Sequence, residues 1–154
     1  MNRIKITLPE IFHFSTTLLI RVTDLNYGGH VGNDTFLSLI QEARQQFLKS
    51  HGYEELSIAA GVGLIMADAA IEFKKELSYG EAVKISVAAA GFNKLGFDLF
   101  YKLEVINGAE TQLAGKAKTG MLCFDYTQKK KMPVPEEVIK KLSGVPYPPT
   151  LLSL

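Results

Sequence analysis

Residues 23–34 read TDLNYGGHVGND, a stretch with three glycines in which most of the other side chains are small or polar. An ordinary connection between two elements of secondary structure needs only a few turn residues. Glycine lets the backbone adopt conformations that other residues avoid, and it lets another molecule approach the backbone closely. The composition therefore predicts a joint that brings the backbone close to a bound ligand.

The joint connects a predicted strand to a predicted helix. Residues 14–23 are rich in β-branched and apolar side chains, which favours a strand. The helix is predicted to begin near Asn33, a good N-cap residue, and to end at Gly52. Its apolar residues follow helical spacing and form one stripe, which consists of Phe36, Leu39, Ile40, Ala43 and Phe47. The helix N-terminus, with its unpaired N–H groups and partial positive charge, therefore faces the joint.

The rest of the chain is dominated by strand patterns. Four further strands are predicted over residues 62–77, 82–92, 96–106 and 112–126, and residues 53–60 are compatible with a short helix or a turn. Pro135, in a first helical turn, begins a short closing helix, and the prolines at 146, 148 and 149 predict an extended tail. The interpretation is a single α+β domain over residues 1–154, with one long helix against a five-stranded antiparallel sheet whose last four strands form a meander.

The composition excludes several functional classes. A net charge of +1 argues against a nucleic-acid-binding protein. No apolar run reaches membrane-spanning length, and the N-terminus lacks the apolar core of a signal peptide. The single cysteine, Cys123, excludes an internal disulfide, and a cytoplasmic location is the default expectation. The histidines and the cysteine do not have the spacing of metal ligands, so neither a metal nor another cofactor is predicted.

The order of the elements and the motifs around the joint resemble the hotdog fold, in the 4-hydroxybenzoyl-CoA thioesterase-like family of acyl-CoA thioesterases. That family has an arginine in its first strand, then Asp-x-Asp-x-x-Gly-His-Val-Asn-Asn, then a helix with a Glu and an Arg. The corresponding residues are Arg21, Asp24, Asn26, Gly29, His30, Val31, Gly32, Asn33, Glu42, Ala43 and Arg44. A later family turn, Arg/Lys-Pro-Leu-x-Tyr-Gly-Asp, reads KELSYGE at residues 75–81. The resemblance covers residues 14–135.

The resemblance implies hydrolysis of an acyl-CoA thioester, with an acyl carrier protein as an alternative thioester donor. Active sites of this fold lie between two subunits, so it also implies a homo-oligomer, a dimer or a tetramer, joined through residues 62–77. The family holds CoA with a basic hairpin, which corresponds here to Asn93 and Lys94. Because Lys94 is the one basic residue in that hairpin, Lys74, Lys75 and Lys84 are further candidates for the CoA phosphates.

The resemblance also assigns roles at the joint. A backbone N–H of Gly32 or Asn33 would polarise the thioester carbonyl. Asn26 stands where the best-known members carry a catalytic aspartate, and an amide cannot act as a general base. His30 is the first candidate for the base that activates water, because histidine exchanges protons near neutral pH. Asn26 would then hold the water or orient His30, and its structural alternative is a turn residue.

Four carboxylates are further candidates for the base. Asp24 and Asp34 flank the joint, and Glu42 lies beside the apolar stripe of the helix. Asp68 interrupts an apolar run, where a charge is costly unless it is paired or functional, and it would approach the joint of a partner subunit. The structural alternatives are a turn for Asp24, the helix dipole for Asp34, helix-surface contacts for Glu42 and a lysine pair for Asp68.

Two other functions stay open at this point. Enoyl-CoA hydratases of the same fold carry Asp-x-Asn-Pro-x-His. Residues 24–26 match its first half, but His30 comes one residue late and the proline is absent. A non-catalytic acyl-thioester-binding protein would explain the missing carboxylate at Asn26. Release of free thiol distinguishes hydrolysis from both.

Overall fold

The computed structural model describes residues 1–144, and the predicted extended tail at prolines 146, 148 and 149 lies outside that range. Along the chain the elements are β1 (Phe14–Leu19), a 3-10 helix (Val22–Asp24), α1 (Asn33–Ser50), β2 (Val62–Phe73), β3 (Ala82–Ala90), β4 (Gly96–Asn107), β5 (Glu110–Asp125), β6 (Lys130–Lys131) and α2 (Glu136–Leu142). Neither α1 nor α2 is long and apolar enough to cross a membrane.

The strands form one antiparallel sheet in the order β1-β3-β4-β5-β2, and the two-residue β6 adds to β5. The α+β class, the long helix and the five main strands are confirmed. The predicted four-strand meander is wrong, because β2 pairs with β5 at the far edge and leaves β3-β4-β5 as the meander. The segment between β2 and β3 does not close a hairpin. Its backbone instead bonds to the joint (Val31 N to Leu77 O, 2.9 Å) and to the end of β1 (Gly80 N to Ile20 O, 2.9 Å).

Several predicted boundaries shift for local reasons. The first strand stops at Leu19, because residues 22–24 turn into the 3-10 helix. Asn33 is the first residue of α1, and Gly32 is its N-cap, with no side-chain cap. Residues 53–60 form turns and isolated bridges, so the turn alternative is the right one. Pro135 is the N-cap of α2 and lies just before its first turn.

The apolar stripe of α1 packs into the core as predicted. All five of its residues, from Phe36 to Phe47, are at most 7% exposed. The core cluster joins them to inward-facing side chains of β3, β4 and β5. Burial of this stripe is the main favourable contribution to holding the helix on the sheet.

A buried polar chain crosses the same interface. Arg44 Nη1 donates to Tyr101 Oη (3.3 Å), and Tyr101 Oη lies 2.8 Å from Thr119 Oγ1. Arg44 Nε also donates to Glu55 Oε1 at 3.0 Å. Burial raises the pKa of the Tyr101 phenol, so it stays neutral. These linked hydrogen bonds fix α1 relative to β4, β5 and the loop after the helix, because buried polar groups need partners.

Candidate active site

The entrance to the joint is fixed by Asp24. Its carboxylate accepts hydrogen bonds from the Arg21 backbone N–H (2.8 Å) and from Arg21 Nη2 (3.2 Å). Burial raises the pKa of Asp24, but the two Arg21 bonds outweigh it and hold the pKa below its ordinary value. Asp24 is only 5% exposed, and it closes the 3-10 turn. The contacts therefore favour a structural role for Asp24, as a turn residue, over a catalytic one.

Asn26 closes the next turn. Its Oδ1 accepts from the Gly28 N–H (2.8 Å), and its backbone N–H donates to His30 O (2.8 Å). The Gly29 N–H donates to Asn26 O at 3.0 Å. Gly29 has φ +81°, in the left-handed region that favours glycine. The glycine-rich composition thus serves the turn as well as access to the backbone.

A cleft of about 630 Å³ opens between this turn and the segment that follows β2. Five of the predicted site residues line it together: Asn26, His30 and Asn33 of the joint, and the CoA-phosphate candidates Lys74 and Lys75. Within residues 1–144 the lining consists of Asn26, Tyr27, Gly28, His30, Val31, Asn33, Phe36, Phe73, Lys74, Lys75, Glu76 and Leu77. The backbone bond between Val31 and Leu77 and the β-bridge between His30 and Ser78 hold its two sides together.

The N-terminus of α1 borders this cleft. The first bond within the helix runs from Phe36 N to Gly32 O at 3.0 Å, so the N–H groups before Phe36 have no acceptor in the helix. Asn33 opens the helix at the cleft wall. Asp34 lies in the first turn, and a Cβ on Gly32 would come 2.5 Å from its Oδ1. This arrangement presents backbone donors and a partial positive charge toward a bound group.

One wall of the cleft is aromatic. Phe36 and Phe73 meet edge to face, with ring centroids 5.1 Å apart and an interplanar angle of 70°. Phe36 is buried, and Phe73 is 52% exposed. Gly115 on β5 leaves the space behind Phe36, because a Cβ there would lie 2.7 Å from Phe36 Cζ. This wall suits an apolar group, and edge-to-face geometry stabilises the ring pair.

The opposite wall is polar. His30 Nε2 lies 3.2 Å from Glu76 Oε2, and His30 Nδ1 lies 3.5 Å from Ser78 Oγ. The His30 side chain is 42% exposed. Lys74 and Lys75 reach the cleft as well, and their Nζ atoms pair with Glu72 (3.0 Å) and Glu81 (3.5 Å). The cleft therefore combines an imidazole, a carboxylate and two cations.

Two of the predicted carboxylates lie elsewhere on the described chain. Glu42 Oε1 accepts from Gln46 Nε2 at 2.8 Å on the exposed side of α1. Asp68 Oδ1 accepts from Lys118 Nζ (2.8 Å) and from the Gly120 N–H (3.1 Å), and the Lys118 bond lowers the pKa of Asp68. Neither residue lines the cleft of its own chain.

The predicted CoA hairpin also lies outside the cleft of its own chain. Asn93 Oδ1 accepts from the N–H groups of Leu95 and Gly96, both at 3.0 Å, so it shapes the turn between β3 and β4. Lys94 is exposed, and its carbonyl accepts from Val134 N at 2.9 Å.

Glu76, like Phe73 and Tyr27, is a cleft residue for which the sequence predicted no role. The signal was present, because Glu76 stands where the resembling family has a proline in its Arg/Lys-Pro-Leu turn. The proximity of Glu76 to His30 was not predictable, since 45 residues separate them (76 minus 30, less one) and β2 runs to the far edge of the sheet between them.

Comparisons with known proteins identify the family of this chain. The sequence profile of the thioesterase-like superfamily matches residues 20–142. A 1,4-dihydroxy-2-naphthoyl-CoA hydrolase from Microcystis aeruginosa is 30% identical over 122 residues, which are 78% of this chain and 86% of that protein.

Solved structures share the fold at lower identity. A 1,4-dihydroxy-2-naphthoyl-CoA thioesterase from Synechocystis superposes with a TM-score of 0.73 at 20% identity, over 88% of this chain and 98% of that one. A Staphylococcus aureus protein solved in complex with CoA gives a TM-score of 0.74 at 17% identity, over 88% of this chain and 85% of that one.

Proposed function

Because this chain belongs to the thioesterase-like superfamily, we propose that it is an acyl-CoA thioesterase, which hydrolyses the thioester to a free acid and CoA thiol. The observation that carries the proposal is the cleft. It brings a helix N-terminus, His30 and an aromatic wall to one place. Thioester hydrolysis needs these three elements: donors for the carbonyl oxygen, a base for water and a pocket for the acyl group.

The N-terminus of α1 is proposed to polarise the carbonyl. The N–H of Gly32 or Asn33 would donate to the oxygen as negative charge develops on it. A donor of this kind is worth about 3 kcal/mol in a site that excludes water. The N-cap, Gly32, offers no side-chain oxygen of its own to compete for these donors.

His30 is proposed as the general base. It lines the cleft and precedes the helix start by three positions (33 minus 30). Asn26 is proposed to shape the turn that presents His30, since its Oδ1 is bonded to the Gly28 N–H. Asp24, Glu42 and Asp68 have partners that account for them without catalysis.

The acyl group is proposed to lie against Phe36 and Phe73, and the CoA phosphates near Lys74 and Lys75. The curated relative is named for an aromatic acyl-CoA, and a flat acyl group would stack or pack edge to face on such a wall. We therefore propose aromatic acyl-CoAs as the first substrates to test. Asn93 and Lys94 of a second subunit are proposed to complete the nucleotide site.

A homodimer or larger homo-oligomer is part of the proposal. β2 is an edge strand of 12 residues, and its middle, residues 66–69, is exposed in the single chain, with Met66 43% exposed. A long exposed edge is unfavourable unless it is paired or covered. A second copy on this strand is the occupant that the family resemblance implies.

The test is thiol release from aromatic, short-chain and long-chain acyl-CoAs. We expect release by the wild-type protein and a loss of at least about a hundredfold in kcat for His30→Ala, the usual share of a general base. His13→Ala is the matched control, because His13 is an exposed histidine outside the cleft. Equal rates for the two variants would remove His30 from catalysis. Loss of enoyl absorbance from an enoyl-CoA without thiol release would support hydration instead.

A further inference from the structure

We propose that Glu76 is the positioning residue for His30, which acts as the general base in place of the carboxylate that this chain lacks at Asn26. The inference rests on the proposed thioester hydrolysis. Glu76 holds the imidazole proton on Nε2, which leaves the lone pair of Nδ1 to accept a proton from water.

The proton assignment follows from the contacts of the ring. Glu76 Oε2 lies 3.2 Å from His30 Nε2, and a carboxylate can only accept a hydrogen bond. An Nε2 lone pair facing that oxygen would be repulsive, so the proton belongs on Nε2. Nδ1 is then the acceptor, and the Ser78 hydroxyl at 3.5 Å is far enough for a water to compete with it.

The backbone holds Glu76 in place beside the ring. Residues 30 and 78 form an antiparallel bridge, and Val31 N donates to Leu77 O at 2.9 Å. Ser78 N in turn donates to Glu81 Oε1 at 2.6 Å. Leu77, next to Glu76, is 1% exposed and anchors the segment in the core. The side chain of Glu76 is 76% exposed, but its backbone is held beside the joint.

Charge in the cleft favours the same pairing. Among the residues that line it, Glu76 carries the one carboxylate. The neighbouring cations are engaged elsewhere, since Lys74 pairs with Glu72 and Lys75 with Glu81. His30 is therefore the partner that remains for Glu76 in the cleft.

Two departures from the resembling family meet in this cleft. Asn26 replaces the catalytic aspartate of the joint, and Glu76 replaces the proline of the turn before β3. Both residues line the same cleft as His30. A carboxylate lost on one side is matched by a carboxylate gained on the other.

The step balances without a further reactant. Nδ1 of His30 takes a proton as the water oxygen bonds to the thioester carbon. The tetrahedral intermediate then collapses, the C–S bond breaks, and the imidazolium returns the proton to the departing thiolate. The Glu76 carboxylate stabilises the imidazolium, as the carboxylate does in a catalytic triad.

The experiment compares Glu76→Gln with Glu76→Asp and with Glu137→Gln in thiol release. Glu137 is the matched control because it also makes an exposed ion pair of 3.2 Å, with Lys141 on α2. We expect Glu76→Gln to lower kcat by about ten- to a hundredfold, with KM nearly unchanged. The loss should be smaller than the roughly 10⁴-fold loss at a buried triad carboxylate, because the Glu76 side chain is 76% exposed. Glu76→Asp should recover part of the loss, and Glu137→Gln should match the wild type.

A second readout follows the His30 ring itself. Long-range ¹H–¹⁵N spectra, with the His30 signals assigned from His30→Ala, should show the Nε2–H tautomer in the wild type and a mixture of tautomers in Glu76→Ala, which leaves no side-chain acceptor at position 76. An active wild type with Glu76→Gln equal to Glu137→Gln overturns this inference and leaves the proposed hydrolysis standing. A wild type that releases no thiol from any acyl-CoA overturns the proposed hydrolysis, and the catalytic role of Glu76 falls with it. An unchanged tautomer in Glu76→Ala overturns the positioning role.

Discussion

Tyr101→Phe tests the buried polar chain that fixes α1 on the sheet. The substitution removes one hydroxyl and leaves the ring, which is fully buried, in place. Two hydrogen bonds disappear, one from Arg44 Nη1 at 3.3 Å and one with Thr119 Oγ1 at 2.8 Å. Arg44 keeps its bond to Glu55 at 3.0 Å, so its charge is not left alone.

The expected loss of stability follows from these contacts. A net hydrogen bond contributes about 1 kcal/mol, and a buried group left without a partner costs about 1–3 kcal/mol. For Arg44 the cost lies near the lower end of this range, because the lost bond is long and Arg44 keeps Glu55 as a partner. Tyr101→Phe should therefore lower the free energy of unfolding by about 2–3 kcal/mol. For a chain of 154 residues this corresponds to a fall in Tm of about 5–10 °C.

The assay is urea unfolding followed by circular dichroism at one fixed protein concentration, because oligomerisation would make stability concentration-dependent. Thr119→Val, alone and combined with Tyr101→Phe, completes a double-mutant cycle. We expect Thr119→Val to cost about 1–2 kcal/mol in the wild type and almost nothing after Tyr101→Phe, because its partner is already gone. A Tyr101→Phe protein within 0.5 kcal/mol of the wild type (roughly the spread of neutral substitutions), or an additive cycle, would refute the reasoning.

Two further outcomes are expected. In sedimentation the wild type should be at least a dimer at micromolar concentration, and Met66→Lys on the exposed middle of β2 should shift it toward monomer; a monomeric wild type would contradict the interface proposal. The pKa of Asp24 is lowered in the folded protein, so its stabilisation is present above the ordinary aspartate pKa of about 3.9 and is lost as pH falls through the lower folded value. Asp24→Asn should therefore be less stable than the wild type by about 1 kcal/mol in urea at pH 7. This difference in stability should shrink toward pH 3. A difference that persists at pH 3 would argue against a stabilising role for the ionised Asp24 carboxylate.

Local patterns in the sequence predicted most of the elements. The stripe from Phe36 to Phe47 has helical spacing because a helix must bury one face, and all five residues are buried. The strands follow from alternation in the same way. The pairing of β2 was predicted wrongly, because alternation says which residues face the core but not which strand lies beside them.

The candidate site shows the same division. The joint, Asn33 and His30 could be found from the sequence, because glycines and a helix start are local signals. Asp24 was open between turn and catalysis, and only its bonds to Arg21 favour the turn. Glu76 could not be placed next to His30, because that contact depends on where the chain returns after β2.

The segment between β2 and β3 is held to the joint through its backbone and through Leu77, while the side chains at 74, 75 and 76 project to the cleft. Main-chain bonds do not depend on residue type, so these positions can change identity without disturbing the scaffold. Such a design separates the part of the protein that mutation must leave alone from the part that it can explore. Substitutions at residues 74–76 could then change the chemistry of the cleft, while the helix and the sheet stay the same.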